Sequence, residues 1–194
     1  MVRVLKVRDS GMPEQSYWES LFDIPLILEN MGITRDIDSL VEFGCGYGTF
    51  TLPSAKVVSG KINAFDIDDK MLEITNARVN SAKLKNVVTF NRDFIAEGTG
   101  IEDNSADYVM LFNILHHIEP IEILTEAYRI LKPGGKAGLI HWNYDPKTPR
   151  GPSMDIRPKS EELRNWALNA GFQLKREKAI DLPPYHYGFV AYKR

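Results

Sequence analysis

A chain of 194 residues with 43% hydrophobic, 26% charged and 10% aromatic side chains has the make-up of one globular domain, large enough to bury a core without staples. Its net charge of -2, from 24 Lys plus Arg against 26 Asp plus Glu, argues against the basic face of a general nucleic-acid binder, so no nucleic-acid partner is expected. The single cysteine, Cys45, excludes an internal disulfide and a Cys-rich zinc site, and residues 1–10 are charged with no apolar run of signal or membrane-spanning length; a cytoplasmic location without a membrane partner is expected.

No internal repeat interrupts the chain. Ser16 to Met31 reads as helix, in one or two pieces, with Pro25 suited to a first helical position and Gly32 to the stop. Ser39 to Phe43 is a short apolar strand ending at a glycine cluster, and Thr49 to Val58 a helix. Lys61 to Phe65 is a second strand, after which Asp68 caps a helix carrying Met71, Leu72, Ile74, Ala77 and Val79. Asn86 to Asn91 and Ala106 to Asn113 are the third and fourth strands. Pro120 opens a helix whose apolar face is Ile121, Leu124, Ala127, Tyr128 and Leu131, stopped by Lys132-Pro133-Gly134-Gly135. Lys136 to Asn143 is a fifth strand, Ser160 to Ala170 a helix, and Phe172 to Ile180 and Gly188 to Arg194 a closing strand pair. Strands alternating with helices predict an α/β fold, a mostly parallel sheet covered on both faces, with the last pair antiparallel. Tyr144 to Lys159 breaks the rhythm with four of the eleven prolines and reads as a binding loop or a plain surface excursion.

The first strand runs into Gly44-Cys45-Gly46-Tyr47-Gly48, where glycine permits unusual dihedrals and lets backbone approach a ligand. The spacing is G-x-G-x-G, with Thr49 where a dinucleotide fingerprint wants its third glycine, so a nucleoside-type ligand fits better than a pyrophosphate. Asp66, 22 residues after Gly44, ends the second strand as an acceptor for two ribose hydroxyls, and Asp93 follows the third strand, placed to accept from an exocyclic amine. All lie at the carboxyl edge of the sheet, where open α/β sheets bind ligands.

The runs VEFGCGYGTF, INAFDIDDKML, NRDF, ADYVMLFNILHHIE and EAYRILKPGGKAGLI, in that order over about residues 38–143, resemble the class I S-adenosylmethionine-dependent methyltransferases, and among them the small single-domain members of the methyltransferase domain 11 type. The resemblance implies a Rossmann-like, doubly wound sheet of seven strands with the last antiparallel. It implies one domain over residues 1–194, with a helical lid over about 14–31 and a variable loop over about 144–159. It further implies that Glu42, Gly44, Cys45, Gly46 and Gly48 form the turn at the methionine part of S-adenosylmethionine. Asp66 would hold the ribose, Ile67 would pack on the adenine, Asp93 and Phe94 would bracket that ring, and Asn113 would lie by the amino-acid end.

Methyl transfer needs a base only where the acceptor arrives protonated. His116 and His117 follow the fourth strand, His141 ends the fifth, and His186 falls in the turn after the sixth, so all four histidines of the chain are expected at the cofactor edge. His117, Tyr144 and His186 are the candidate catalytic residues of the acceptor side. The competing reading makes His141 structural and lets the LHH segment open a helix and pack. No ligand spacing supports a metal site. In the leading helix Tyr17 is the ligand candidate, with Trp18 and Phe22 expected to bury against the sheet. The expected function is methyl transfer to a small-molecule acceptor by a monomer or homodimer, with S-adenosylhomocysteine as product. A nicotinamide-dependent oxidoreductase and a non-catalytic S-adenosylmethionine-binding protein are the alternatives.

Overall fold

The computed structural model describes residues 12–194, so the expectation drawn from residues 1–10 lies outside the described residues. Two short helices, α1 (Gln15–Glu19) and α2 (Ile24–Asn30), lead into β1 (Ser39–Phe43), α3 (Thr51–Val57), β2 (Lys61–Asp66), α4 (Asp69–Ser81), β3 (Val87–Asn91), α5 (Phe94–Glu97) and β4 (Ala106–Phe112). Then come α6 (Pro120–Ile130), β5 (Leu131–Trp142), α7 (Ser160–Asn169), β6 (Gln173–Leu174), β7 (Ile180–Leu182) and β8 (His186–Tyr192). The sheet order is β3-β2-β1-β4-β5-β8-β6, with β7 also on β8; β1 to β5 pair in parallel, and β8 runs antiparallel to its neighbours. The strand order reverses between β1 and β4, the switch point where such sheets leave a crevice.

Period-two burial sorts the central strands onto two faces. Leu40, Tyr108, Met110 and Phe112 join the core under α1 to α4, while Val41, Phe43, Val109 and Leu111 join the core under α6 and α7. The leading helix divides in two because Asp23 caps a new start, accepting from Leu26 N at 3.1 Å, with Pro25 in the first turn.

Several elements differ from the sequence-based expectation. The sixth strand is interrupted: Leu174 pairs with Ala191 and Ile180 with Gly188, so the charged stretch between them leaves the ladder for solvent. Charges at an unpaired edge are a common device against edge-to-edge association. The strand β5 starts at Leu131, its Lys-Pro-Gly-Gly segment bulging out where β4 advances only from Ala106 to Tyr108. The short helix α5 arises because Asp93 caps it. Among the described residues no helix is long and apolar enough to cross a membrane.

Candidate active site

The glycine turn after β1 is held from three sides. The N–H groups of Gly44 and Cys45 both donate to the Phe65 carbonyl, at 2.8 and 2.9 Å, and Gly46 N donates to the Asp66 carboxylate at 2.7 Å. From α4, the Thr75 hydroxyl donates to Gly46 O at 2.7 Å and Arg78 to Tyr47 O. Gly44, Gly46 and Gly48 sit at φ of +76°, +52° and +73°, where only glycine is unstrained. Gly48 faces inward, since a Cβ there would lie 2.6 Å from Leu52 Cδ1, whereas Gly44 and Gly46 border an open cleft. Burial pushes the Cys45 thiol well up, which suits packing and not nucleophilic attack.

The cleft has a volume of about 270 Å³ and lies at the β1/β4 switch point. Of the residues expected to hold a ligand, Glu42, Gly44, Cys45, Gly46, Asp66, Ile67, Asp93, Phe94, Asn113 and His117 line it. Tyr17, Gly48, Tyr144 and His186 are outside its lining.

Asp66 spends one oxygen on Gly46 N and the other on Asp68 N at 3.0 Å, which leaves each oxygen a second lone pair. Asp93 caps α5 with Oδ1, accepting from Ile95 N and Ala96 N at 3.2 and 3.0 Å. Glu42 is buried and accepts from the Thr51 hydroxyl. Burial, with the Asp66 charge adding to it, pushes its carboxyl up to about 8 against the opposing Thr51 bond, so it is protonated at neutral pH. Two polar groups in the lining lack partners. Both amide atoms of Asn113 are buried and unpaired on a residue at φ +58°, and the Thr49 hydroxyl is buried and unpaired as well. Buried polar atoms without partners are rare, and strained backbone clusters at binding sites, so both features fit a cleft built to bind a polar ligand.

The four histidines gather at this end of the sheet in unequal roles. His116 lines the cleft and its Nδ1 lies 3.3 Å from His141 Nε2; burial lowers His116 to about 4 and holds His141 well below the usual imidazole range, so both are neutral at pH 7. His117 Nδ1 accepts from Glu119 N at 3.1 Å, which leaves the ring proton of its neutral form on Nε2. His186 is corrected in position: it is on β8, not in a turn, fully buried against Trp142 and stacked on Phe22 at 4.4 Å with both ring nitrogens unpartnered. Tyr144 is 46% exposed under the Lys159 ammonium, and Tyr17 is 43% exposed. In the leading helix it is Trp18 that reaches the cleft, packed on Phe22 and Trp142.

Sequence reading missed Thr49, Trp18, Arg92 and Ile156 among the lining residues, and placed His116 at this edge without a role. The hydroxyl of Thr49 inside a glycine turn was a readable signal; Ile156 carries none, because only the folded loop brings it there.

That loop, residues 144–159, contains no helix or strand and is organised by one side chain. Arg157, 7% exposed, donates to the carbonyls of Asn143, Asp145, Arg150 and Pro152 and to the Thr148 hydroxyl. A lysine cannot reproduce that fan of donors. Arg157→Lys is expected to lower stability by about 2 kcal/mol and to open residues 145–156 to protease, read by denaturation and by mapping the first cleavage. An unchanged cleavage pattern would refute the organising role.

Residues 41–139, just over half of the chain, match the family model described as a methyltransferase domain. A demethylmenaquinone methyltransferase from Symbiobacterium thermophilum is 33% identical over 105 residues, covering 53% of this chain and 41% of that protein. A demethylmenaquinone methyltransferase from Lactococcus lactis is 29% identical over 128 residues, covering 64% and 47%. The chain thus spans about half the length of the curated relatives it matches. A crystal structure of a SAM-dependent methyltransferase from Aquifex aeolicus superimposes with a TM-score of 0.81 at 24% identity, over 93% of this chain and 94% of that one, a likeness of fold. With the matched stretch running from β1 to β5 and carrying the glycine turn, Asp66, Asp93 and Asn113, the chain belongs to the methyltransferase domain family.

Proposed function

We propose that the cleft binds S-adenosylmethionine and that the chain catalyses transfer of its methyl group to a small-molecule acceptor, releasing S-adenosylhomocysteine. The observation that carries the reading is Asn113: a left-handed residue lining the cleft with a buried, unpartnered amide, beside the unpaired Thr49 hydroxyl. Together with Glu42 these groups supply acceptors and donors for the amino-acid end of the ligand. Asp66 keeps lone pairs for the ribose hydroxyls, Asp93 one oxygen for the adenine amine, and Ile67, Phe94 and Ile95 apolar surface for its ring. The bound sulfonium supplies an already activated methyl, so the chain's own task is alignment, worth up to about 7–11 kcal/mol in well-oriented pairs. Trp18, Phe50 and Phe112 wall the cleft with apolar surface that excludes water. The relatives' names support a small-molecule acceptor.

Titration calorimetry tests the reading. S-adenosylhomocysteine is expected to bind and NAD not to, and Asp66→Asn is expected to weaken the former about 100-fold, because charged hydrogen bonds contribute about 1.5–3 kcal/mol each. Binding of NAD in place of S-adenosylhomocysteine would refute it.

A further inference from the structure

The opposite edge of the sheet holds a separate cavity of about 330 Å³, a size that small ligands fill. It lies between the end of α2 and the stretch where β6 and β7 part, and it shares no lining residue with the cleft. Asn113 of the cleft donates its N–H to the Ile140 carbonyl, whereas the cavity meets β5 at Lys136, four residues or roughly 13 Å back along that strand.

The interruption of the sixth strand shapes this cavity. On β8, Ala191 pairs with Leu174 and Gly188 with Ile180, so Phe189 and Val190 between them have no partner on that side, although β5 pairs with both on the other. Successive residues of an antiparallel strand turn their N–H and C=O groups to alternate sides, so one of these two presents both groups to the gap. Phe189 and Val190 line the cavity, and among the described residues no further backbone hydrogen bond reaches either of them. A backbone N–H left open at a cavity wall is a donor waiting for an acceptor.

The side chains select the acceptor. Ile180, Val190 and Tyr192 give the lining apolar surface, and Lys136, Lys175 and Arg176 give it three cations; among the described residues no carboxylate lines it. The Lys175 ammonium sits over the Tyr192 ring at 4.1 Å, which holds a positive charge above the aromatic surface without neutralising it. The nearby acids stay outside the lining. Glu177 is exposed on the parted stretch, and Asp36, which feels the Lys136 ammonium, accepts from the Thr34 hydroxyl. Three cations exceed the charge of one carboxylate, and lysine and arginine both serve phosphate.

We propose that this cavity is a binding site, distinct from the cleft, for a small phosphate monoester with an apolar body. The apolar body seats on Ile180, Val190 and Tyr192, and the dianion is met by Lys175, Arg176 and the open β8 N–H. The proposal stands apart from the cofactor reading of the cleft.

Titration calorimetry with 2-naphthyl phosphate tests it, with 2-naphthol and inorganic phosphate as the two halves of the probe. The ester is expected to bind at least ~tenfold more tightly than either half, because each half forfeits one part of the site. Replacing both Lys175→Gln and Arg176→Gln is expected to weaken the ester by at least ~tenfold, since charge-assisted hydrogen bonds are the strong ones. Both side chains are exposed, so the variant retains its fold, and an unaltered urea midpoint documents that. No binding of the ester, or either half binding as tightly as the whole, would overturn the proposal. Ester binding indifferent to the double substitution would overturn it too, since the ester would then occupy another place, the cleft included.

Discussion

The unfolding free energy of the ligand-free chain is expected to climb by about 2 kcal/mol per pH unit between pH 4 and 6.5, then to decline toward pH 8. The acid limb comes from buried neutral imidazoles. Burial lowers His116 to about 4 and His186 to about 3, and lowers His141 in the same direction. Below about 6.5 the unfolded chain binds protons that these rings refuse in the folded state, so stability falls as pH falls through that window. The alkaline limb comes from Glu42, raised to about 8: between its ordinary value of 4.5 and 8 the folded state holds a proton that the unfolded state has lost, so stability falls as pH rises. Asp66 is raised by burial in the same sense. The two slopes oppose each other in the acid range, which leaves the maximum near pH 6.5. Urea denaturation at pH 4.5, 5.5, 6.5 and 8 measures the profile. His186→Leu discriminates further, because its effect on slope is independent of any change in packing: removing one buried imidazole should flatten the acid limb by about 1.4 kcal/mol per pH unit. A variant whose limb is as steep as that of the parent would show that His186 is hydrated or paired in solution.

The contrast between His186 and Asn113 shows what the chain made readable. The strands β1, β2 and β4 are predominantly apolar runs that end in glycine, acid or amide residues, as strands of a parallel sheet covered on both faces are. Their order therefore fixes where Gly44, Asp66 and Asn113 emerge, and that end of the cleft was legible from strand pattern together with the family resemblance that singled out Asn113. The acceptor end has no such constraint. His186 and Tyr144 border the same edge of the sheet in sequence terms, yet β8 begins two residues earlier than its apolar run indicates and carries His186 into the core opposite Trp142. His116 and His117 are adjacent, and no periodicity within a turn tells which ring meets His141 and which is held by Glu119 N. Ile156 reaches the cleft only because Arg157 folds its loop back over itself, a tertiary fact with no local signature.

Affinity for S-adenosylmethionine is expected to rise by up to ~100-fold from pH 6 to pH 8, and to stop rising there. Glu42 is the cause. It lies at the end of β1 with Thr51 as its hydrogen-bond partner, and burial keeps it protonated below about 8. A ligand that brings an ammonium and a sulfonium into the cleft favours the carboxylate, because an opposite charge in a desolvated site stabilises the ionised form. Binding below pH 8 therefore releases close to one proton, and a one-proton linkage changes the dissociation constant about tenfold per pH unit. Calorimetry in two buffers of different ionisation enthalpy counts the proton directly at pH 7. Glu42→Gln supplies the reference, since an amide has nearly the shape of the protonated acid and cannot ionise. The ligand's own amine titrates identically against both proteins, so their difference isolates Glu42. At pH 6 the variant should bind nearly as well as the parent, and at pH 8 it should be weaker by about tenfold or more. A parent protein that releases no proton and binds equally at pH 6 and 8 would show that Glu42 is already ionised in the empty cleft. The alkaline decline in stability predicted above would then vanish with it, so the two measurements constrain the same carboxyl from opposite sides.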